Sequence, residues 1–190
     1  MLLILASSSP FRKKILSKLG LEFSAQAPNI DESQKPNEPP EQLVWRLAEQ
    51  KALEVEKTQQ GLIIASDQIM LLDGEILGKP KTHKNALKQL QKSSGKRVDF
   101  LTSLALLNTK TAKMQIIIEP FSVIFKTLNL AQIENYLQTD KPYNCAGGFK
   151  SEGLGVALLK GFEGNDPNAL IGLPLIQLIK MLENEGINVL

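Results

Sequence analysis

The sequence predicts an α/β fold, and three observations carry that expectation. An apolar run at residues 2–5 leads through a serine-rich turn into an amphipathic helix, and it is too short to span a membrane. Apolar, strand-like segments then alternate with helical patterns along the chain. Asp73-Gly74, flanked by two apolar runs, marks a two-residue hairpin. No repeat, low-complexity segment or linker divides the 190 residues, so a single domain over 1–190 is expected.

At the first helix, Ser9 is the expected N-cap and Pro10 the first helical residue, where a missing N–H costs nothing. Ile15, Leu16 and Leu19 recur at helical spacing, and Gly20 ends the run. Ser7, Ser8 and the free N–H groups would converge on one point, and Arg12 adds a planar fork suited to phosphate oxygens. A phosphate site and an ordinary capped surface helix both fit this stretch. Residues 22–26 suggest a second strand, followed by a polar loop over residues 27–40 that carries Asp31-Glu32. Those carboxylates suit a metal or a water, or simply a solvated turn.

From Glu41 a long helix is expected, with Leu43, Val44, Leu47, Ala48 and Ala52 as its apolar stripe. Lys51 falls on that same face, either snorkelling to the surface or serving as a second phosphate cation. Residues 61–66 form a core strand, and Asp67 follows at its carboxyl end, where α/β proteins bind ligands. The hairpin delivers Gly78-Lys79-Pro80, which lacks Walker spacing. A helix begins near Thr82, with His83 at its start. Two long strands cover residues 98–108 and 114–125, and a helix over 130–137 is capped by Asn129. Residues 145–155 hold four glycines, which fits close ligand approach or tight packing. Glu152 lies within that segment. A strand over 156–162, a turn over 163–168 and a final helix over 174–185 complete the chain.

Composition bounds the function. Lys plus Arg number 22 against 20 acidic residues, and the net charge of +2 argues against a polyanionic partner. Only 5% of residues are aromatic, which also disfavours a nucleic-acid binder. Cys145 is the single cysteine and His83 the single histidine, so an intrachain disulfide and a structural zinc site lack ligands. Neither a signal peptide nor a long apolar segment is evident, so a cytoplasmic, soluble protein without membrane contact is expected.

Taken together, the segments 5–12 (LASSSPFR), 31–32 (DE), 46–52 (RLAEQKA), 65–68 (ASDQ), 73–80 (DGEILGKP), 94–96 (SGK) and 171–175 (IGLPL) resemble the Maf family of nucleoside triphosphate pyrophosphatases. They occur in family order over nearly the whole chain. The resemblance implies a long, twisted mixed sheet flanked by helices, similar to inosine triphosphatase, with two lobes and a central cleft. It implies Ser7, Arg12, Lys51 and Lys79 as phosphate-binding residues and Asp67 as proton acceptor. A divalent cation, Mg²⁺ or Mn²⁺, would be held by Asp67 or Glu32. The nucleotide α–β phosphate bond would be hydrolysed as a house-cleaning reaction, and a homodimer is implied.

Within the family, Phe11, Gln68 and Glu152 resemble the branch acting on 7-methyl-GTP. The branch acting on dTTP and UTP carries arginine, threonine and glutamine at those places. Phe11 is a departure, because the methyl-GTP branch usually has tryptophan there. Its face still attracts the cationic methylated ring, and Glu152 can accept from the guanine N1–H and amine. A pyrimidine-type pyrophosphatase and a nucleotide-binding regulator of septum formation are the competing expectations.

Overall fold

Ser9 and Pro10 start the first helix as the sequence requires: the Ser9 hydroxyl accepts the Arg12 N–H at 3.4 Å, and Pro10 stands at the first helical position. The computed structural model describes residues 2–190. Its helices are α1 (Pro10–Leu16), α2 (Pro40–Glu56), α3 (His83–Ser93), α4 (Leu130–Asp140), α5 (Pro167–Ile171) and α6 (Leu175–Asn184). The strands are β1 (Leu3–Leu5), β2 (Ser24–Ala25), β3 (Leu62–Leu72), β4 (Glu75–Leu77), β5 (Arg97–Asn108), β6 (Lys113–Phe125) and β7 (Leu159–Gly164). They form a seven-stranded mixed sheet of order β2-β1-β3-β5-β6-β7, with β4 added to β3. The expected α/β class is therefore observed.

The chain divides into two compact units, residues 1–68, 102–119 and 166–190 in one and 69–101 with 120–165 in the other. In the first unit β1 runs parallel to both β2 and β3, with Ile4 opposite Ile63. Side chains alternate across a strand, and each face of this sheet is covered. Ile4, Ala6, Ile63, Ala65, Ala105 and Leu107 pack against Ala48, Ala52 and Val55 of α2. The intervening residues Leu3, Leu5, Leu62, Ile64, Leu104 and Leu106 pack against α1 and α6 through Ile15, Leu16, Leu178 and Leu182. Burying each such side chain contributes about 1.5–3 kcal/mol. The two-sided burial explains why these strands look continuously apolar in sequence.

In the second unit, Leu72 pairs with Glu75, and Asp73 (φ 52°) and Gly74 (φ 82°) both take positive φ. That is the type I′ hairpin the sequence announces. Helix α4 opens on a reciprocal capping box between Asn129 and Gln132. Phe149 packs against Phe100 and Phe125 at ring distances of 6.0 and 5.5 Å. β7 pairs antiparallel with β6, Val123 opposite Phe162.

Several expectations need correcting. The second strand is only Ser24–Ala25. β3 does not stop at Ser66 but continues to Leu72, so Asp67 lies mid-strand rather than at a strand end. Residues 154–158 form a 3₁₀ turn, and β7 begins only at Leu159. The stretch expected as a turn near residue 167 holds the short helix α5, capped by Asp166.

Candidate active site

β3 places Asp67 on the face that looks towards α2. There the Lys51 ammonium meets Asp67 Oδ1 at 2.6 Å and Glu32 Oε1 at 2.7 Å. Lys51 is 5% exposed and Asp67 8%, so this lysine does not snorkel but ends in a buried ion pair. Burial demands such pairing, because an uncompensated charge there is costly. The Asp67 N–H donates to Ser103 Oγ at 3.1 Å, and that hydroxyl donates to the Val44 carbonyl at 2.7 Å. Strand β5 and helix α2 thus hold the Asp67 main chain in place.

Glu32 is carried on the long loop, and an arginine that the sequence quoted without a task holds that loop. Arg46 grips Glu38 through both carboxylate oxygens, at 2.5 and 2.7 Å, and donates to the Ser33 carbonyl at 3.0 Å. The Arg46 guanidinium keeps the Glu38 carboxyl down at about 2. Asp31 accepts the Ser33 N–H at 2.9 Å and is lowered mainly by that bond, with a smaller pull from Arg46. The available signal was an arginine on a helix beside a loop with three carboxylates, a pattern whose pairing only the fold decides.

Arg12 donates its Nε–H to the Gly172 carbonyl at 2.8 Å. Burial lowers its guanidinium from the ordinary value, opposed by the nearby Asp67 and Glu32 carboxylates. Ser7 is buried and its hydroxyl accepts the Ser9 N–H at 3.1 Å. Ser8 is exposed, so the serine turn presents less of a converging cluster than its composition suggests. Gln68 does not extend into free space. Its amide nitrogen lies 2.7 Å from the Ala169 carbonyl, 3.1 Å from that of Leu170 and 2.9 Å from Thr102 Oγ1. Phe11 is half-buried on α1.

The second unit carries Lys79, exposed after the hairpin, and Glu152, exposed on a turn. The Gly78 carbonyl accepts the Gly147 N–H at 3.2 Å, which ties the Lys79 segment to the glycine-rich loop. Glu152 is framed on both sides by α4: Lys150 N–H donates to Tyr136 Oη at 2.9 Å, and Leu154 N–H to Asp140 Oδ2 at 2.7 Å. A Cβ on Gly153 would push that Asp140 carboxylate aside and disturb its bond to the Leu154 N–H. Burial pushes the Cys145 thiol up, reinforced by Glu152 and opposed by Lys150 and Lys79. A raised thiol is a poor nucleophile, as expected for a packing cysteine. His83 contacts Glu134 at 2.8 Å and Tyr143 at 3.1 Å, a link between α3, α4 and the following loop.

Among the described residues, no cluster of three or more His, Cys, Asp or Glu side chains gathers to enclose a metal. Asp67 and Glu32, whose oxygens flank one ammonium, nonetheless suit a hard divalent cation, because Mg²⁺ sites commonly take one or two carboxylates and draw further oxygens from a phosphate substrate. No helix among the described residues is long and apolar enough to cross a membrane.

A mixed α/β sheet whose strand carries a carboxylate beside a buried lysine, together with an oriented arginine, presents residue types suited to phosphate chemistry. The chain belongs to the Maf family: the family model described as "Maf-like protein" matches residues 2–185. A 7-methyl-GTP pyrophosphatase of Nitrosococcus oceani is 53% identical over 99% of this chain and 95% of its own. One from Pseudoalteromonas atlantica is 54% identical over 100% of this chain and 97% of its own. The solved structure of the Staphylococcus aureus Ham1 protein shares the fold, with a TM-score of 0.57 at 13% identity over 97% of this chain and 100% of that one.

Proposed function

We propose that this protein is a nucleoside triphosphate pyrophosphatase whose preferred substrate is 7-methyl-GTP, releasing 7-methyl-GMP and pyrophosphate. The observation that carries the reading is Asp67, fixed mid-strand with its Oδ1 on Lys51 at 2.6 Å. In the reaction a water oxygen bonds to phosphorus as the α–β bridging P–O bond breaks. Asp67 takes the water's proton, and the electron pair of the broken bond leaves with pyrophosphate. Arg12, Lys51, Lys79 and Ser7 bind the triphosphate and offset the charge that grows on the leaving group. Asp67 and Glu32 would hold a divalent cation, Mg²⁺ or Mn²⁺, whose chemistry is charge neutralisation at phosphate oxygens.

Base preference is supported by the residue chemistry and by the names of the relatives. The face of Phe11 attracts an N7-methylated, cationic guanine by about 0.5–2 kcal/mol. Glu152 is an acceptor for the guanine N1–H and amine, and an acceptor left unpaired by the wrong base costs about 1–3 kcal/mol.

The test is pyrophosphate release with Mg²⁺ or Mn²⁺ from 7-methyl-GTP, GTP, dTTP, UTP, CTP and ATP. Marked preference for 7-methyl-GTP supports the whole reading. Preference for dTTP or UTP rejects the base assignment and retains the reaction. Silence on all six, with nucleotide binding intact, overturns the enzyme and favours a regulatory binder.

A further inference from the structure

The two neighbours of Asp67 point to the opposite face of β3, and both end on one turn. Ser66, fully buried, donates its hydroxyl to the Gly172 carbonyl at 2.8 Å. Gln68 Nε2 donates to the carbonyls of Ala169 and Leu170. Thr102 Oγ1, from β5, adds a third clasp on Ala169 at 2.9 Å. The Gly172 carbonyl also accepts Arg12 Nε–H at 2.8 Å, so its two lone pairs are shared between Ser66 and Arg12.

Residue 172 is glycine for a reason visible in the geometry. Its φ is +115°, and a Cβ there would stand 3.3 Å from Arg12 Nε. The positive φ favours glycine, and a side chain there would crowd the arginine by a few tenths of an ångström. With Nε committed, the guanidinium plane is fixed and only its two terminal nitrogens are left to face an anion.

We propose that Ser66 and Gln68 are positioning residues for Arg12, acting through the turn at residues 169–172, and that this turn registers the phosphate-binding arginine to Asp67. This rests on the pyrophosphatase reading only for naming the ligand. It gives Gln68 a different task from reading the base: its amide protons are spent on the protein, and its effect on substrates is transmitted through Arg12.

Inorganic pyrophosphate, which has no base, separates the two tasks. Its affinity is measured by isothermal titration with Mg²⁺ for wild type, Ser66→Ala, Gln68→Met, Arg12→Ala and the two double variants. Folding of each is checked by thermal unfolding. Ser66→Ala, which removes one hydrogen bond to the turn, should weaken pyrophosphate about three- to tenfold, and Gln68→Met, which removes those to Ala169 and Leu170, by at least as much. In the Arg12→Ala background neither should change affinity beyond about twofold. Equal losses in both backgrounds would reduce the clasp to general structure and overturn the proposal. So would no loss in either variant, or no pyrophosphate binding by wild type. A Gln68→Met variant with intact pyrophosphate affinity but altered nucleotide preference would return Gln68 to base reading. Should Ser66→Ala not fold, Gln68→Met decides alone. Turnover on nucleotides is assayed separately: coupling to Arg12 without turnover sinks the enzyme reading and keeps this one, and turnover without coupling does the reverse.

Discussion

Replacing Lys51 with methionine removes the ammonium between Asp67 and Glu32 while filling most of its volume. The two arms of this ion pair carry different weights. The Lys51 and Asp67 side chains are 6% and 11% exposed, so the loss strands a buried carboxylate, at a cost of about 3–5 kcal/mol. The Glu32 side chain is 56% exposed, and solvent screening holds its share to about 0–1 kcal/mol. Taking about 3 kcal/mol in total, a chain of this size should lose about 6–12 °C in Tm. Asp67→Asn should cost much less, because the amide oxygen still accepts from Lys51 and Lys51 keeps Glu32. The double variant, with neither charge, should recover at least half of the loss. Thermal unfolding by circular dichroism without nucleotide provides the measurement. A drop below about 2 °C for Lys51→Met, or a double variant that merely sums the singles, would refute the buried-pair argument.

Other perturbations test separate parts of the molecule. Asp67→Asn should lower turnover at least about 100-fold while leaving nucleotide affinity within a few-fold of wild type, as read by steady-state kinetics and titration calorimetry. The Glu38 carboxyl sits near 2 when folded, below its unfolded value of 4.5, so its pairing with Arg46 stabilises fully above that value and is lost as pH falls through about 2. Urea midpoints of wild type and Glu38→Gln should therefore differ at pH 6 and converge on acidification; parallel curves would contradict the assignment. Gly147→Ala should destabilise by about 2–4 kcal/mol, because φ is +63° and the new methyl would overlap Met70 Sδ. Gly20→Ala has φ +68° with open space around it, and should cost only about 1 kcal/mol by the same urea measurement.

What the sequence made legible is what local rules control. Asp73-Gly74 needs positive φ at both positions, and few residue pairs other than this type supply it. Ser9-Pro10 and Asn129 announced their helix starts, because caps satisfy N–H groups within three residues. Asp67-Gln68 defeated the strand pattern: two polar residues read as a strand end, yet Lys51, Ser103 and the carbonyls near residue 170 satisfy them inside the sheet. Val156 to Phe162 looked like one strand, and its first part is a 3₁₀ turn that follows Gly153 and Gly155, where a side chain would meet Asp140 and the Lys150 carbonyl. At the site, resemblance supplied the residue types. It could not say that Lys51 is shared between two carboxylates or that Gly172 holds Arg12, since both depend on partners far away in sequence.

The alternation along β3 has a consequence for how this protein can change. Deleting any single residue between Leu62 and Ser66 would exchange its two faces downstream. Gln68 would then take the place opposite the Lys51 ammonium, and the Asp67 carboxylate would be driven against the Gly172 carbonyl, two acceptors with no proton between them. Substitutions here alter one contact each, whereas a change of length would invert the whole arrangement at once. A change of length is expected to be borne only outside the ladder, as in the polar loop before α2, and the distance from Leu62 to Gln68 is a fixed ruler for the chemistry.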